Sequence, residues 1–458
     1  MADLYTRALS AGSRDVSGES LAVARIAFGA VGLASAIRLM ARGWVSSLLA
    51  GPEHHLRYPA MGWVPVPPGW VVHLLVVVIA LAAACVMVGF HHRAAAATFW
   101  IAFTWVELLE ATIYLNHYWF MTLVGASMVV LPMSARWSVD SVRRGPSDVP
   151  AAAVWLLRFQ VASVYLFAGL AKLNGDWLNG LPLGLWLPAR SDLPIIGSLL
   201  GTHTAALLAS WGGALFDCTV VGFLLWRRTR IVAWIVLVTF HVSTWLLFPV
   251  IGVFPWLMIP MSTVLFDPDW PSRVLERLGL RPAVHPQTRP STAPAGRSAV
   301  RPLRTRVVVV AAVLWVALQI ALPLRHLAYP GDHRWTGEGL RFGWNVMLVE
   351  KAGDVTFRIT DPRDGSTWTD DARTIYTPQQ WRVMSTDPEL IRQAAHQVAL
   401  ENGATSTAPL EVRADALVSL NGRTSARLID PDVDLAAEPW RLGAQPWVLP
   451  VPEAPRPL

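Results

Sequence analysis

The sequence contains little charge and almost no lysine. Only 15% of its 458 residues are charged, 53% are hydrophobic, and the mean hydropathy is +0.40. This composition excludes an ordinary soluble globular protein and indicates a membrane protein. Lysine occurs only at Lys172 and Lys351, so the other 36 of the 38 basic residues are arginine, a bias typical of a high-GC bacterial genome. Against that bias, a lysine at a membrane boundary is a candidate functional residue.

Cysteine is equally scarce, and the spacings that mark metal or nucleotide chemistry are missing. Cys85 and Cys218 both lie inside apolar runs, where a small buried hydrophobe is a commoner role than a disulfide partner or a metal ligand. The sequence contains no HExxH or CxxC spacing, no glycine-rich phosphate loop and no GxSxG motif. We therefore predict no metal site, haem or iron–sulfur cluster.

Long apolar runs dominate the first two thirds of the chain. A membrane-spanning helix needs about 20 mostly apolar residues. Nine segments meet this requirement, and we predict about nine transmembrane helices. The tight pairs on either side of Asn116 and around Pro249 could each form one kinked or re-entrant element instead. The nine segments are 19–41, 70–90, 95–115, 117–133, 151–173, 204–226, 230–248, 250–266 and 305–324.

Arginine placement predicts the orientation of these helices. The net charge of +6 is compatible with nucleic-acid binding, but the arginines cluster between apolar segments, so we predict a bilayer partner and no nucleic acid. Cytoplasmic loops of membrane proteins hold the excess of basic residues. This rule predicts a protein of the bacterial cytoplasmic membrane with its N-terminus inside and the chain after Leu324 outside. The basic connections contain Arg93, Arg136, Arg143, Arg144, Arg227, Arg228, Arg230, Arg273, Arg277, Arg281, Arg289, Arg297, Arg301, Arg304 and Arg306, and the opposite ones only Arg42, Arg57 and Arg190.

The chain therefore divides into a membrane bundle and a C-terminal domain of ordinary soluble composition. In that domain, 354–361 and 410–422 alternate like half-exposed strands, and 388–402 has helical spacing. We expect a β-rich, α+β domain on the outer face of the bundle. The predicted units are a cytoplasmic tail (1–18), a bundle of about eight helices (19–270), a cytoplasmic Pro/Arg-rich linker (271–304), a ninth helix (305–325) and the extracytoplasmic domain (326–458).

Several ionisable residues lie within the apolar segments. Such groups are costly at membrane depth, at about 2.5 to 3.5 kcal/mol each, and normally face a bundle interior or a cavity. Lys172 and His117 should meet at the outer interface, although the lysine could simply extend to the membrane surface and the histidine could be an ordinary interface residue. The other ionisable residues, which could form structural ion pairs or a functional site, are Glu107, Glu110, Arg158, Asp217 and His241.

Burial changes what a lysine can do. An apolar environment disfavours the ammonium, so a buried lysine can act as a general base near neutral pH. At the edge of a lipid-exposed cavity, its natural target is an acidic hydroxyl of an apolar molecule such as a quinol. The 23 tryptophans fit interfacial belts first and stacking against a flat ring second.

At these residues the sequence resembles the vitamin K-dependent gamma-carboxylase family, and most closely its bacterial members with the horizontally transferred transmembrane (HTTM) domain. The resemblance covers most of residues 19–440 outside the linker and rests on motifs that occur in family order. These are LNHYWF, RWSVD, FAGLAKLNGDWL, FDCTVVGFLLWRRTR, TFHVSTWLLFPVIGVFPWLM, FDPDWP, LPLRHLAYPGDHRWTGEGLRFGWNVML and LVSLNGRTSARLIDPDVDL.

The resemblance implies a function and roles for several residues. Lys172 matches the base that deprotonates reduced vitamin K; epoxidation of the quinol by O2 then creates a strong base for carboxylation of peptide glutamate by CO2. His117 matches the family histidine at this centre, and Trp344 and Met347 fall in the glutamate-handling segment. Arg341 is our own addition as a carboxylate clamp. Candidate supporting residues are Asn116, Arg158, Trp177, Asp217 and His241.

The departures from the family leave several functions open. The chain ends soon after VDLAAEPW, whereas the animal enzymes are considerably longer, and Asn345 stands where many bacterial relatives have arginine. Quinol epoxidation is therefore better supported than carboxylation of a secreted glutamate-containing peptide. The alternatives are an epoxidase without carboxylation, a non-catalytic membrane partner in peptide export or maturation, and a transporter, which the absence of internal repeats disfavours.

Overall fold

The computed structural model describes Arg7 and residues 10–280 and 302–453. The part up to Leu280 is mainly helical, and a four-stranded sheet lies in the C-terminal part, as the hydrophobic patterns predict. Each of the nine predicted segments contains a helix. The helices are α1 (Glu19–Ala41), α2 (Gly69–Val88), α3 (His92–Leu109), α4 (Asn116–Val130), α5 (Ala151–Ala171), α6 (His203–Leu225), α7 (Arg230–Leu247), α8 (Phe254–Ser262) and α9 (Pro302–Leu324).

Not all of these helices are long and apolar enough to cross a membrane. Among the described residues, six are: α1, α2, α5, α6, α7 and the stretch Val307–Ala328, which includes most of α9. By contrast, α4 has 15 residues and rises only about 22 Å, less than the roughly 30 Å hydrocarbon core. The short helix α8, extended by a 3-10 turn to Leu265, is shorter still. The structure thus supports six candidate spans, and the count of nine stays a prediction.

The ambiguous pairs form separate helices. The chain leaves α3 after Leu109 and enters α4 at Asn116, and it leaves α7 after Leu247 and enters α8 at Phe254. Both breaks lie at the end of the bundle that meets the C-terminal domain. The helix starts that follow them bring polar and aromatic side chains to this end of the bundle.

Glycines allow the central helices to approach closely. A Cβ on Gly29 of α1 would lie 2.5 Å from the backbone nitrogen of Met87 in α2, and a Cβ on Gly169 of α5 would lie 2.8 Å from that of Cys218 in α6. Small residues at such contacts are typical of membrane helix packing. The contact between α5 and α6 lies directly beside Lys172 and Asp217, so it fixes the spacing of these two residues.

The C-terminal domain contains an antiparallel sheet with one helix against it. Its strands are β1 (Lys351–Thr360), β2 (Thr367–Asp370), β3 (Glu411–Leu420) and β4 (Ala426–Arg427), in the order β2-β1-β3-β4. The alternate residues Val355, Phe357 and Ile359 of β1 are fully buried, as are their counterparts on β3. Helix α10 (Pro388–Glu401) packs on this apolar face. The predicted strands and helix of an α+β domain are therefore confirmed.

The predicted tail and linker are described only in part. Residues 15–16 of the tail pair with residues 149–150. The short helix Trp270–Arg277 begins the predicted linker and is packed, because Ser272 donates hydrogen bonds from its backbone nitrogen and its hydroxyl to the Glu19 carboxylate. Residues 281–301, the remainder of the linker before α9, lie outside the described residues.

Candidate active site

An apolar chamber of about 680 Å³ lies at the end of the bundle that meets the C-terminal domain. Its walls come from α5, α6 and α7, from the starts of α4 and α8, and from residues 346–347 of the C-terminal domain. On α7 the lining runs from Ile235 to Leu247, about 18 Å along the helix axis. Ile235 and Val236 are also about half exposed, at 54% and 50%, on the outer surface of the bundle. The chamber therefore opens sideways toward the region that lipid would occupy.

Lys172 and Asp217 form a buried ion pair in this chamber. Lys172 caps the C-terminus of α5, and its Nζ donates to Asp217 Oδ2 at 2.7 Å and to the carbonyl of Ala168 at 3.3 Å. Only 4% of Lys172 and 6% of Asp217 is exposed. The Nζ lies 5.1 Å from the centre of the Trp177 ring. The amine is therefore held inside the bundle by a carboxylate, a carbonyl and an indole and does not extend to the membrane surface.

Two histidines add polar atoms to the same chamber. His117 lies in the first turn of α4 and stacks against Phe254 at 5.9 Å between ring centres. Its Nε2 has no hydrogen-bond partner among the described residues. His241 on α7 makes a 2.9 Å hydrogen bond between its Nε2 and the Tyr165 hydroxyl. The chamber thus combines a mostly apolar wall with an ion pair, a hydrogen-bonded Tyr–His pair and a free imidazole nitrogen, an arrangement typical of small-molecule sites.

The segment after Arg341 reaches the chamber through a constrained turn. Met347 lines the chamber, whereas Trp344 is 1% exposed and packs near Phe120 beneath it. Trp344 and Met347 both adopt the left-handed backbone region, with φ of 57° and 59°, which is uncommon for such large residues and costly unless the surroundings enforce it. Asn116 supports the turn by donating to the Asn345 carbonyl at 3.3 Å.

The structure gathers most of the predicted site residues around the chamber. Those that line it are Lys172, His117, Asn116, Met347, Trp177, Asp217 and His241. Trp344 is instead a packing residue behind Met347. Arg158 lies near the opposite end of α5, where its Nε donates to the carbonyl of Val264 at 2.8 Å.

Arg341 also lies outside the chamber lining. Its Nη2 is 3.0 Å from Asp387 Oδ2, so an internal carboxylate already occupies the guanidinium. Burial lowers the pKa of Arg341, but the charge and hydrogen bond of Asp387, together with Tyr58 and Tyr114, outweigh this effect and raise the pKa overall. Arg341 was proposed as a clamp because the motif LRFGWNVML places it near Trp344. This motif does not reveal that the partner of Arg341 is Asp387, 46 positions further along the chain.

Sequence reasoning missed two features of this site. Tyr165 precedes Lys172 by seven residues, which is two helical turns and therefore the same helix face; this spacing could have identified it. Asp176, buried beside the chamber, pairs with Arg334 and Arg423 of the C-terminal domain. No local pattern joins residues so distant in the chain.

The fold and the site define a class of protein: a helical membrane protein with an apolar chamber that is closed at one end by a separate α+β domain. Two family models match the chain, the HTTM domain over residues 13–270 and the vitamin K-dependent gamma-carboxylase lumenal domain over residues 304–454. The chain belongs to the vitamin K-dependent gamma-carboxylase family, in the form that carries an HTTM domain. No solved structure matches the chain.

Family membership confirms the resemblance given by the motifs. It implies a membrane carboxylase-like activity that uses reduced vitamin K, O2 and CO2, in a family that acts on glutamate-containing peptides. Among the described residues, no group of three or more His, Cys, Asp or Glu side chains could hold a metal ion.

Proposed function

We propose that this protein is a quinol-dependent glutamyl carboxylase of a bacterial cytoplasmic membrane, with its C-terminal domain outside. The observation that carries the proposal is the Lys172–Asp217 pair, buried in an apolar chamber together with His117. When bound, a vitamin K-type or menaquinone-type quinol supplies the driving reaction, because its epoxidation by O2 yields a base strong enough to remove a glutamate γ-proton before CO2 adds.

The chamber fits a quinol with an isoprenoid tail. Its polar groups lie at the end near the C-terminal domain, where the ring and its hydroxyls would sit. The apolar lining of α7 continues for about 18 Å from there to half-exposed Ile235, so a tail can lie along it and emerge into lipid. An apolar wall with a few placed polar groups is what such a ligand requires.

The ion pair is suited to accept one proton from the quinol. As Lys172 ammonium and Asp217 carboxylate, the pair is neutral overall. Taking up one proton converts the pair to a Lys172 ammonium beside a neutral Asp217 carboxyl. The single positive charge of the ammonium then faces the deprotonated quinol. Charge is therefore conserved within the dry chamber, where an unpaired charge would be costly. Lys172 first passes a proton to Asp217 across the 2.7 Å contact, and the neutral amine that results accepts the quinol proton, so Lys172 acts as the base and Asp217 as its proton partner.

The remaining residues serve the glutamate end of the reaction. A γ-carbon acid is too weak for any side-chain base, so a chamber that excludes water is needed to protect the reactive oxygen base. His117 Nε2, which lacks a partner among the described residues, is available to orient an oxygen of the quinol or the glutamate. Met347, held by the turn that Asn116 supports, lines the chamber on the side of the C-terminal domain.

The test is quinol turnover by purified protein in detergent or nanodiscs. Lys172→Met should lower epoxide formation at least about a hundredfold, because general-base catalysis typically contributes 10²–10⁴. Asp217→Asn should also lower it, since the proton-accepting pair is lost. Lys351→Met is the matched control: Lys351 is the other lysine of the chain and does not line the chamber. Thermal unfolding of each variant reports the folded fraction. Full turnover by Lys172→Met would remove the base assignment.

Carboxylation is tested separately, because one observation favours an epoxidase that lacks it. Lys172 is the only Lys or Arg on the described chamber lining, and Asp217 already pairs with it, while Arg341 is paired with Asp387. A glutamate carboxylate therefore has no free guanidinium there. Mass spectrometry of a glutamate-rich peptide should show a gain of about 44 Da per modified glutamate. Epoxide without this gain would support the epoxidase, and no epoxide with any quinol would support the non-catalytic partner.

A further inference from the structure

The buried carboxylate of Asp176 connects the bundle to the C-terminal domain. Asp176 lies four residues after Lys172 in the short helix Gly175–Leu178 and is 5% exposed. Arg423 holds it with two bonds, from Nη1 to Oδ2 and from Nη2 to Oδ1, each 2.8 Å long. Arg334 Nη1 and Asn421 Nδ2 donate to Oδ2 at 3.1 and 3.0 Å. Four donors from the C-terminal domain thus converge on one carboxylate of the bundle.

Asp176 is adjacent to the residue that lies against the catalytic amine. The Trp177 ring centre is 5.1 Å from Lys172 Nζ, and Trp177 Nε1 donates to the Ser210 carbonyl of α6 at 2.6 Å. The same ring lies within 3.4 Å of where a Cβ on Gly213 would be, one turn before Asp217. A shift of Asp176 would therefore move the surface that supports the ion pair.

Asn421 extends the connection to the opposite wall of the chamber. Besides Asp176, its Nδ2 contacts the Leu348 carbonyl at 3.1 Å, and its Oδ1 accepts from the Glu350 nitrogen at 2.8 Å. Leu348 directly follows Met347, which lines the chamber. Asn421 is fully buried, with φ of 48°, a region that asparagine tolerates better than most residues.

The electrostatics of this cluster keep Asp176 ionised. Burial raises its pKa, but the hydrogen bonds from Arg423 and Asn421 and the charge of Arg334 lower it more, so the pKa lies below its ordinary value. A charge-assisted, two-bond arginine contact also restricts geometry more than a single bond does. The contact is therefore suited to fix a distance as well as to join two domains.

We infer that Asp176 is a positioning residue: together with Arg423 and Asn421 it holds Lys172 and Met347 at a fixed separation across the chamber. The inference rests on the proposed function, because the proton transfer to Lys172 is the step that this separation serves. Displacements of about 1 Å in a reacting geometry can cost about a hundredfold in rate. A purely structural role would affect stability and leave the turnover of folded protein unchanged.

The first test compares Asp176→Asn with Asp415→Asn. The control removes another aspartate–arginine contact of the C-terminal domain, the exposed pair Asp415–Arg427 at 2.9 Å on β3 and β4. We expect Asp176→Asn to lower kcat for epoxide formation by tenfold or more per folded molecule, with little change in KM for quinol. The control should stay within about twofold. A double-mutant cycle with Arg423→Gln should be non-additive in kcat, because both changes break one contact.

The second test does not depend on turnover. Spin labels at Asn179→Cys, beside Asp176, and Ser366→Cys, in the C-terminal domain, report the distance between the two parts in a background of Cys85→Ala and Cys218→Ala. The distance distribution should broaden in Asp176→Asn but not in Asp415→Asn. If Asp176→Asn fails to fold, the milder Arg423→Lys takes its place in both tests.

The outcomes separate this inference from the proposed function. Normal kcat with a narrow distance distribution in the folded variant would overturn the positioning role, as would lowered thermal stability with normal turnover per folded molecule. No turnover by the wild-type protein would instead contradict the proposed function, while the distance measurement would still decide whether Asp176 fixes the two walls.

Discussion

Lys172 and Lys351, the two lysines of the chain, occupy different environments: Lys172 is buried and Lys351 is half-buried. Lys172 contacts a carboxylate directly, at 2.7 Å from Asp217. Lys351 donates to the carbonyls of Trp335 at 2.6 Å and Thr386 at 3.1 Å, with no carboxylate among its hydrogen-bond partners in the described structure. An ammonium whose hydrogen bonds go mainly to neutral carbonyls recovers only part of the hydration free energy that it loses on burial. Lys172 therefore has a proton partner, and Lys351 does not.

The environment of Lys351 predicts a pH dependence of stability. Burial lowers its pKa from 10.5 to about 8, although the charge of nearby Asp387 opposes this effect. Between about pH 8 and 10.5 the unfolded chain binds more protons than the folded one, so stability rises with pH across this window. Below about pH 8 both states hold the proton, and the unfavourable contribution is constant. Lys351→Met should lack this rise.

The measurement is thermal unfolding of the wild-type protein and Lys351→Met between pH 7 and 10. The wild-type midpoint should increase relative to that of the variant as the pH passes 8. The comparison uses the change with pH and not the absolute midpoint, because the variant also leaves the Trp335 and Thr386 carbonyls without their donor. Parallel curves for the two proteins would mean that the folded domain does not lower the pKa of Lys351.

Among the helices and strands, the sequence was most informative where a periodic pattern is long. The helix starts of α5, α6 and α7 fall within one residue of the predicted segments, and β1 and β3 cover most of the predicted alternating stretches 354–361 and 410–422. Patterns of this kind depend only on which side of an element is apolar. Seven of the predicted site residues also line the chamber, because they belong to the motifs on which the family resemblance rests.

What the sequence could not predict depends on contacts between distant elements. The ion pair of Lys172 with Asp217 spans 45 positions, and that of Arg341 with Asp387 spans 46. The sequence analysis assigned roles to Arg341 and Lys172 as single residues, but in the fold each of them has a carboxylate partner. The network around Asp176 was missed for the same reason. No spacing rule along one helix or strand reports which charges meet across an interface.

The close contact of α5 with α6 leads to a prediction at the level of helix packing. A Cβ on Gly169 would lie 2.7 Å from Cys218 Sγ and 2.8 Å from its backbone nitrogen. Gly169→Ala must therefore push the helices apart, at a cost of about 1–3 kcal/mol. Gly222 of α6 has no atom within 4 Å of its Cβ position, so Gly222→Ala should be neutral or stabilising by up to about 1 kcal/mol.

Thermal or denaturant unfolding of the two alanine variants tests this difference. Turnover should fall in Gly169→Ala as well, because the displaced helices carry Lys172 and Asp217. The control should keep wild-type turnover. Equal stability of the two variants would show that α5 and α6 adjust without strain and that their spacing is not set by this glycine.

The whole molecule has a basic end and an opposite end that holds the chamber. Asp267, after α8, contacts Arg227, Arg230 and Arg273 at 3.1 to 3.2 Å. This cluster lies where α6 ends and α7 begins, opposite to the chamber and the C-terminal domain. Cytoplasmic loops carry the excess of arginine. The basic end should therefore face the cytoplasm, and the C-terminal domain should face outward, where a secreted peptide could reach the chamber.

This orientation is testable with single cysteines in the background of Cys85→Ala and Cys218→Ala. Ser366→Cys lies in an exposed turn of the C-terminal domain, and Ser147→Cys lies in an exposed loop of the basic end, next to the Arg136–Asp148 pair. In intact bacterial cells, a membrane-impermeant maleimide should label position 366 at once and position 147 only after permeabilisation. The reverse pattern would place the C-terminal domain in the cytoplasm. Under the proposed function, the glutamate substrate would then have to be a cytoplasmic peptide, because residues of that domain line the chamber.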